Sequence, residues 1–158
     1  NYLKSKYSLE ATMILGELKD PSAVEPLVEL LRNSHSSGPA QSALAKIGET
    51  AIEFLIKGLQ DMNSEVRKRS RKTLIEMKWT PSGEEDRISF HIAGKNYGKL
   101  IAIGKSAIEP LINSCKDKNF ESWKIQETRQ ALKQIVGEDL GEDPTKWLKG
   151  WVKNKEKL

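Results

Sequence analysis

Few side chains in this 158-residue chain could do covalent or metal chemistry: one cysteine, Cys115, and two histidines, His35 and His91. A cysteine nucleophile needs an activating neighbour, and Cys115 instead shares a repeat position with Leu31 and Leu59, which predicts a small buried hydrophobe. Neither histidine is followed by Glu or has a second His three to five residues away, so neither has the ligand company that zinc requires. Both are expected to be solvated or partly packed imidazoles. Gly104-Lys105-Ser106 resembles the end of a phosphate-binding loop, but position 99 is Lys where that motif needs Gly, and Gly98 is one residue too early. No Gly-x-Ser-x-Gly elbow occurs, and Glu84-Glu85-Asp86 fits a helix N-terminus, where the helix dipole favours acidic side chains. The expectation is a chain with no catalytic residue, no cofactor and no metal: not an enzyme.

The remaining chemistry is charge. Arg67-Lys68-Arg69-Ser70-Arg71-Lys72 is the densest charged stretch in a chain of net charge +4. Residues 1–60 carry −1 and the rest +5, so the positive charge belongs to the C-terminal two-thirds. Arg67, Lys68, Arg71 and Lys72 fall on one side of a helix, with Arg129 and Lys133 one turn apart on a later helix and Trp123 near that helix's start. Such a stripe binds an acidic protein surface or a phosphate backbone. Against this, Glu65–Arg69 and Lys72–Glu76 are i, i+4 pairs of the kind that merely solvate a helix face, and Trp123 equally suits packing.

The elements that position these residues follow from an internal repeat. Val24-Glu25-Pro26-Leu27-Val28, Ile52-Glu53-Phe54-Leu55-Ile56 and Ile108-Glu109-Pro110-Leu111-Ile112 superimpose without gaps at offsets of 28 and 56 residues. A fixed period of this size marks a stacked array. Ile52, Leu55, Ile56 and Leu59 recur at helical spacing. Ser22-x-x-Glu25, Thr50-x-x-Glu53 and Ser106-x-x-Glu109 each read as a capping box, with the hydroxyl residue as the helix cap. Pro26 and Pro110 then fall just inside the helix start, where a proline is tolerated.

After Asp61-Met62-Asn63-Ser64 and Asp117-Lys118-Asn119-Phe120, second helices are expected over Glu65–Lys78 and Glu121–Val136. On the first, Val66, Ser70, Thr73, Leu74 and Met77 gather on one side. The unit is therefore a helix pair of roughly 28–32 residues. Asn33–Gly38 and Trp79–Asp86 read as loops. The repeat breaks at about 79–104, where helices over Glu84–Lys95 and Lys99–Gly104 stand in for the missing motif.

The pieces Ala23–Val28, Ala51–Ile56 and Ala107–Ile112, then Asp61…Val66-Arg67, then Ala43-Leu44-Ala45-Lys46-Ile47-Gly48 resemble HEAT-like repeats of the phycobilisome-lyase type. The resemblance covers roughly residues 12–136. It implies that the second helix of each pair lines a concave surface, placing the basic residues in a groove. It also implies an Asp–Arg ladder between units, matched here by Asp61 and Arg67, with Asp117 matching only the Asp. A final helix at about 143–155, capped by Asp143 with Pro144 at its first position, places Trp147, Leu148, Trp151 and Val152 on one face and seals the end of the array.

The expected fold is one all-α domain over 1–158, a right-handed α-solenoid of HEAT-like antiparallel helix pairs with a C-terminal capping helix. The expected function is a protein-interaction scaffold that binds a protein or peptide through its concave helices. Nucleic-acid binding, of backbone or base-repair type, is the alternative, and bilin attachment a third reading. No run of 18 apolar residues spans a membrane. One thiol and no signal-peptide core in residues 1–15 suggest the cytoplasm.

Overall fold

The computed structural model describes residues 2–115, 122–139, 141, 143, 146, 147 and 149–151, and their side chains except 2–8 and 122–124. All of the regular structure among the described residues is helical. The chain divides into two compact units, residues 1–82 and 83–158, and the boundary falls inside the stretch Trp79–Asp86 expected to be a loop, of which Glu84–Asp86 are helical.

The first unit holds α1 (Tyr2–Leu18), α2 (Val24–Leu30), α3 (Ser37–Ile47), α4 (Glu49–Gly58) and α5 (Ser64–Glu76). α2 packs on α3 and α4 packs on α5, which are the two expected pairs, and α1 packs on α3. The recurring aliphatic positions make the core: Val24, Leu27, Leu31, Leu55 and Leu59 are buried, and Leu44 and Leu74 face them from the second helices. A single pair would leave these side chains in water, so burial comes from stacking one pair on the next. α1 approaches α3 closely through Gly16, where a Cβ would lie 2.7 Å from Ala43 Cα. Only glycine fits there.

The helix entries differ from the expected capping boxes. Ser22 lies inside a 3₁₀ turn, Pro21–Ala23, whose cap is Asp20: Asp20 Oδ1 accepts from Ser22 N (2.9 Å) and Ser22 Oγ (2.7 Å). Thr50 is the second residue of α4, and Ser106 lies in the 3₁₀ turn Gly104–Ala107. The cause is the tightness of the preceding turn. Gly48 and Gly104 sit at φ +85° and +81°, which side chains rarely adopt, and reverse the chain at once. Ala51 N already donates to Gly48 O (2.9 Å), so a turn closes before a Thr50 hydroxyl could cap it. Pro26 and Pro110 are third in their α-helices, where a missing N–H breaks no helical bond. α5 starts at Ser64, one residue before the expected Glu65, with Asn63 as cap: its Oδ1 accepts from Glu65 N at 2.9 Å.

The second unit holds α6 (Glu84–Ala93), α7 (Tyr97–Ile103), α8 (Ile108–Ser114) and α9 (Ser122–Val136). α6 and α7 occupy the irregular stretch, with α7 starting at Tyr97, two residues before the expected Lys99. Ile88, Leu100, Ile108, Leu111, Ile112 and Leu132 form the core. Trp147 and Trp151, in a helical segment, are buried in the same cluster, and Trp147 Nε1 donates to Gly141 O at 3.0 Å. Asp117, Pro144, Leu148 and Val152 lie outside the described residues.

Candidate functional site

Lys68, Arg71 and Lys72 stand at i, i+3 and i+4 on α5, so one helical face carries all three. Lys68 and Lys72 are exposed and Arg71 is half-buried beside them. Lys72 Nζ lies 3.8 Å from Glu76 Oε1, a loose pair that leaves the ammonium in water. Lys68 has no ion pair among the described residues. The opposite face of α5 anchors the helix: Val66, Ser70, Thr73 and Leu74 are buried, and Thr73 Oγ1 donates to Arg69 O at 3.0 Å.

Arg67 does not join this surface. It is 6% exposed, and its Nη1 donates to the carbonyl oxygens of Asp61 (2.7 Å) and Met62 (3.0 Å). Because α5 begins at Ser64, a residue one turn in can reach back to the carbonyls that end the preceding turn. Donation to those two acceptors turns the guanidinium inward. The expected ladder changes accordingly. The Asp61 carboxylate is held by Arg32, with Nη1–Oδ1 at 3.1 Å and Nη2–Oδ2 at 2.6 Å, and Arg67 donates to the backbone carbonyl of the same residue. Contact with Glu29, and then with Asp61, strengthens the Arg32 guanidinium's hold on its proton.

Arg69, also on α5, is the cross-brace of the first unit. It pairs with Glu65 at 3.1 Å, donates to Leu31 O, and its own carbonyl accepts from Gln41 Nε2 at 3.3 Å. Arg69 stood out in the sequence only through its i, i+4 pairing with Glu65, and Arg32 not at all, because their acceptors in the neighbouring pair are 38 and 29 residues away.

The other named residues belong to the second unit. Arg129 is committed to Asp139 by a two-pronged contact, Nε–Oδ1 and Nη2–Oδ2 both at 2.7 Å. That contact, with Gly141 N donating at 3.0 Å, pulls the Asp139 carboxyl from 3.8 to about 2. Lys133 is exposed on α9. Trp123 lies in α9, but its side chain is outside the described residues.

The residues that suggested catalysis are placed as packing or surface groups. Cys115 is buried beside Leu111, like Leu31 and Leu59 in the matching positions. His35 is exposed; His91 is half-buried, with its Nδ1 3.4 Å from Asn96 Nδ2. Among the described residues no three His, Cys, Asp or Glu side chains are grouped to hold a metal ion. No helix of the described residues is long and apolar enough to cross a membrane.

Residues 9–33 match the family model of the PBS lyase HEAT-like repeat, a span running from within α1 through α2 to the turn after it. With the 28-residue copies of that pattern and the all-helical fold, the chain is a HEAT-like repeat protein. No curated protein and no solved structure matches it.

Proposed function

We propose that this HEAT-like repeat protein is a non-enzymatic interaction scaffold, and that the cationic face of α5 binds an acidic segment of a protein or peptide partner. In this reading the helix pairs coil into a right-handed solenoid with α5 on the concave side. The helix bearing Trp147 and Trp151 closes the C-terminal end of the core. The setting is the cytoplasm, with which the free thiol of Cys115 accords.

The observation that carries the reading is the division of labour along α5. Arg67 and Arg69 turn inward to carbonyls, whereas Lys68 and Lys72 keep their ammonium groups in water on the same helix. What remains is a compact patch. A patch of this size steers and orients an acidic protein surface, whereas nucleic-acid affinity rests on neutralising many phosphates along a strand.

The test is a charge reversal confined to exposed residues, Lys68→Glu with Lys72→Glu. The wild-type chain is expected to retain a partner from native lysate, and the variant to lose it while melting at the same temperature. Retention unchanged by the reversal overturns the reading. A shift of DNA or RNA in a gel at low salt, disappearing steeply as salt rises, would assign the face to nucleic acid instead.

A further inference from the structure

Within the first unit α3 lies between α1 and α5 and packs on both, while α2 and α4 also pack against it. One side of α3 is left open, carrying Gly38, Ser42 and Lys46 at i, i+4 and i+8. The flanking helices share its register. Lys19, Gly48 and Lys78, in the left-handed region at φ 52°, 85° and 58°, follow the ends of α1, α3 and α5. Ten residues before them stand Leu9, Gly38 and Lys68, and six residues before them Met13, Ser42 and Lys72. Contacts between the helices agree with this register: Lys46 pairs with Glu17 of α1, and Gln41 Nε2 donates to Arg69 O of α5 at 3.3 Å.

Two rows therefore cross three helices on one exposed face, and their ends differ in chemistry. At the α5 end stand the ammonium groups of Lys68 and Lys72. At the α1 end stand Leu9, 40% exposed, and Met13, 55% exposed. Nothing in the first unit crosses the face at Gly38, where a Cβ would meet no atom within 4 Å. The charge of α1 opposes that of α5, since Glu10 and Glu17 are both exposed on it. An acidic ligand side chain is thus attracted to one end of the rows and repelled from the other.

We infer that the face takes one extended segment of the acidic partner in a single direction, its acidic side chains on Lys68 and Lys72 and large apolar side chains at its other end on Leu9 and Met13. The inference rests on the reading of α5 proposed above and adds the apolar half of the ligand, its direction and its length. Packed helix axes lie about 8–10 Å apart, so α1 and α5 are about 16–20 Å apart. An extended chain covers that span in about five or six residues. The charged end steers and orients the segment, and the apolar end removes Leu9 and Met13 from water.

Two labelled synthetic peptides of equal composition are titrated with the full chain. One carries leucines at one end and glutamates at the other, separated by about three neutral residues; in the second the same leucines and glutamates alternate. The first is expected to bind saturably and at least about tenfold more tightly than the second. Leu9→Gln with Met13→Gln, both exposed, should leave the melting temperature unchanged and remove that advantage. Lys68→Glu with Lys72→Glu should weaken both peptides. Equal binding of the two peptides, or an advantage that survives the glutamine substitutions, overturns the inference; if the lysine reversal still weakens both, the reading of α5 stands without it. Binding of both peptides unaffected by the lysine reversal overturns the reading of α5 and the inference together, as does the absence of saturable binding by either peptide.

Discussion

Arg32 and Asp61 are joined by two parallel hydrogen bonds, 3.1 and 2.6 Å long, across 29 residues of sequence. Arg32 follows α2 and Asp61 follows α4, so the contact ties the turn of one helix pair to the turn of the next. It is a fork-to-fork geometry, the strongest form of an Arg–carboxylate contact. Asp61 does a second task, since its Oδ1 also accepts from Asn63 N at 2.7 Å and holds the turn that opens α5.

Removing the two partners should therefore be unequal. Asp61→Ala loses both the inter-repeat contact and the turn bond, whereas Arg32→Ala loses only the contacts of its own guanidinium. A double-mutant cycle on urea unfolding should give a coupling of about 0.5–1 kcal/mol, because the pair is partly exposed. The single Asp61 variant should be the less stable of the two. Equal losses would show that the turn bond adds nothing.

Arg67 is expected to matter for folding and not for binding. Arg67→Ala removes a buried guanidinium and the donor to the Asp61 and Met62 carbonyls, and a hydrogen bond to a charged group contributes about 1.5–3 kcal/mol. A denaturant midpoint lowered to match, set against an unshifted midpoint for Lys68→Ala, checks the assignment. Loss of partner binding in Arg67→Ala at full stability would contradict it.

At the contact between α4 and α5, Gly58 faces Ser70 so closely that a Cβ on residue 58 would lie 2.3 Å from the serine Oγ. That hydroxyl is fully buried and finds no hydrogen-bond partner among the described residues. Ser70→Ala should thus be neutral or stabilising by on the order of 1 kcal/mol, since an unpaired buried hydroxyl is unfavourable. Gly58→Ala alone should destabilise by about 1–3 kcal/mol through overpacking, and Ser70→Ala should recover part of that loss. Thermal melts of the two single variants and the pair measure it. A destabilised Ser70→Ala would mean that the hydroxyl is paired.

Leu55 is fully buried at the centre of the repeat column. Leu55→Ala should cost about 2–5 kcal/mol, the range for a large aliphatic side chain removed from a packed core. A melt unchanged by the substitution would place that column outside the core.

The columns were legible in the sequence because burial in a stacked array follows the repeat: Cys115 differs in chemistry from Leu31 and Leu59 yet is buried as they are. The start of α5 was legible to within one residue because the Asp61–Ser64 turn before it is held by local bonds, Asn63 N to Asp61 and Glu65 N to Asn63. The other helix entries were not. A Ser or Thr three residues before Glu describes a cap only when the chain arrives extended, and Gly48 and Gly104 bring it in already turned. α1 lacks the Pro-Leu entry motif and was invisible to that pattern. For the candidate site, spacing put six cationic or polar residues in a row but could not tell Arg67 from Lys68. Which of them turns inward depends on where two backbone carbonyls of the preceding turn point, and residue spacing does not encode that.

Asp139 offers the clearest reading of electrostatics in the second unit. The Arg129 guanidinium, with the Gly141 N–H behind it, favours the charged carboxylate and lowers its titration from 3.8 to about 2. A carboxyl depressed on folding stabilises the folded chain above its unfolded value, and that contribution disappears as the pH falls through the folded one. The linked stability should therefore be complete above about pH 4 and decline between about pH 4 and 2. Carboxyl ¹³C shifts followed by NMR should show Asp139 titrating near 2 in the wild type and higher in Arg129→Gln, where the Gly141 N–H still holds it below 3.8. A titration near 3.8 in the wild type would mean that the two-pronged contact does not persist in solution. Arg129 would then be available to bind a partner on α9 beside Lys133.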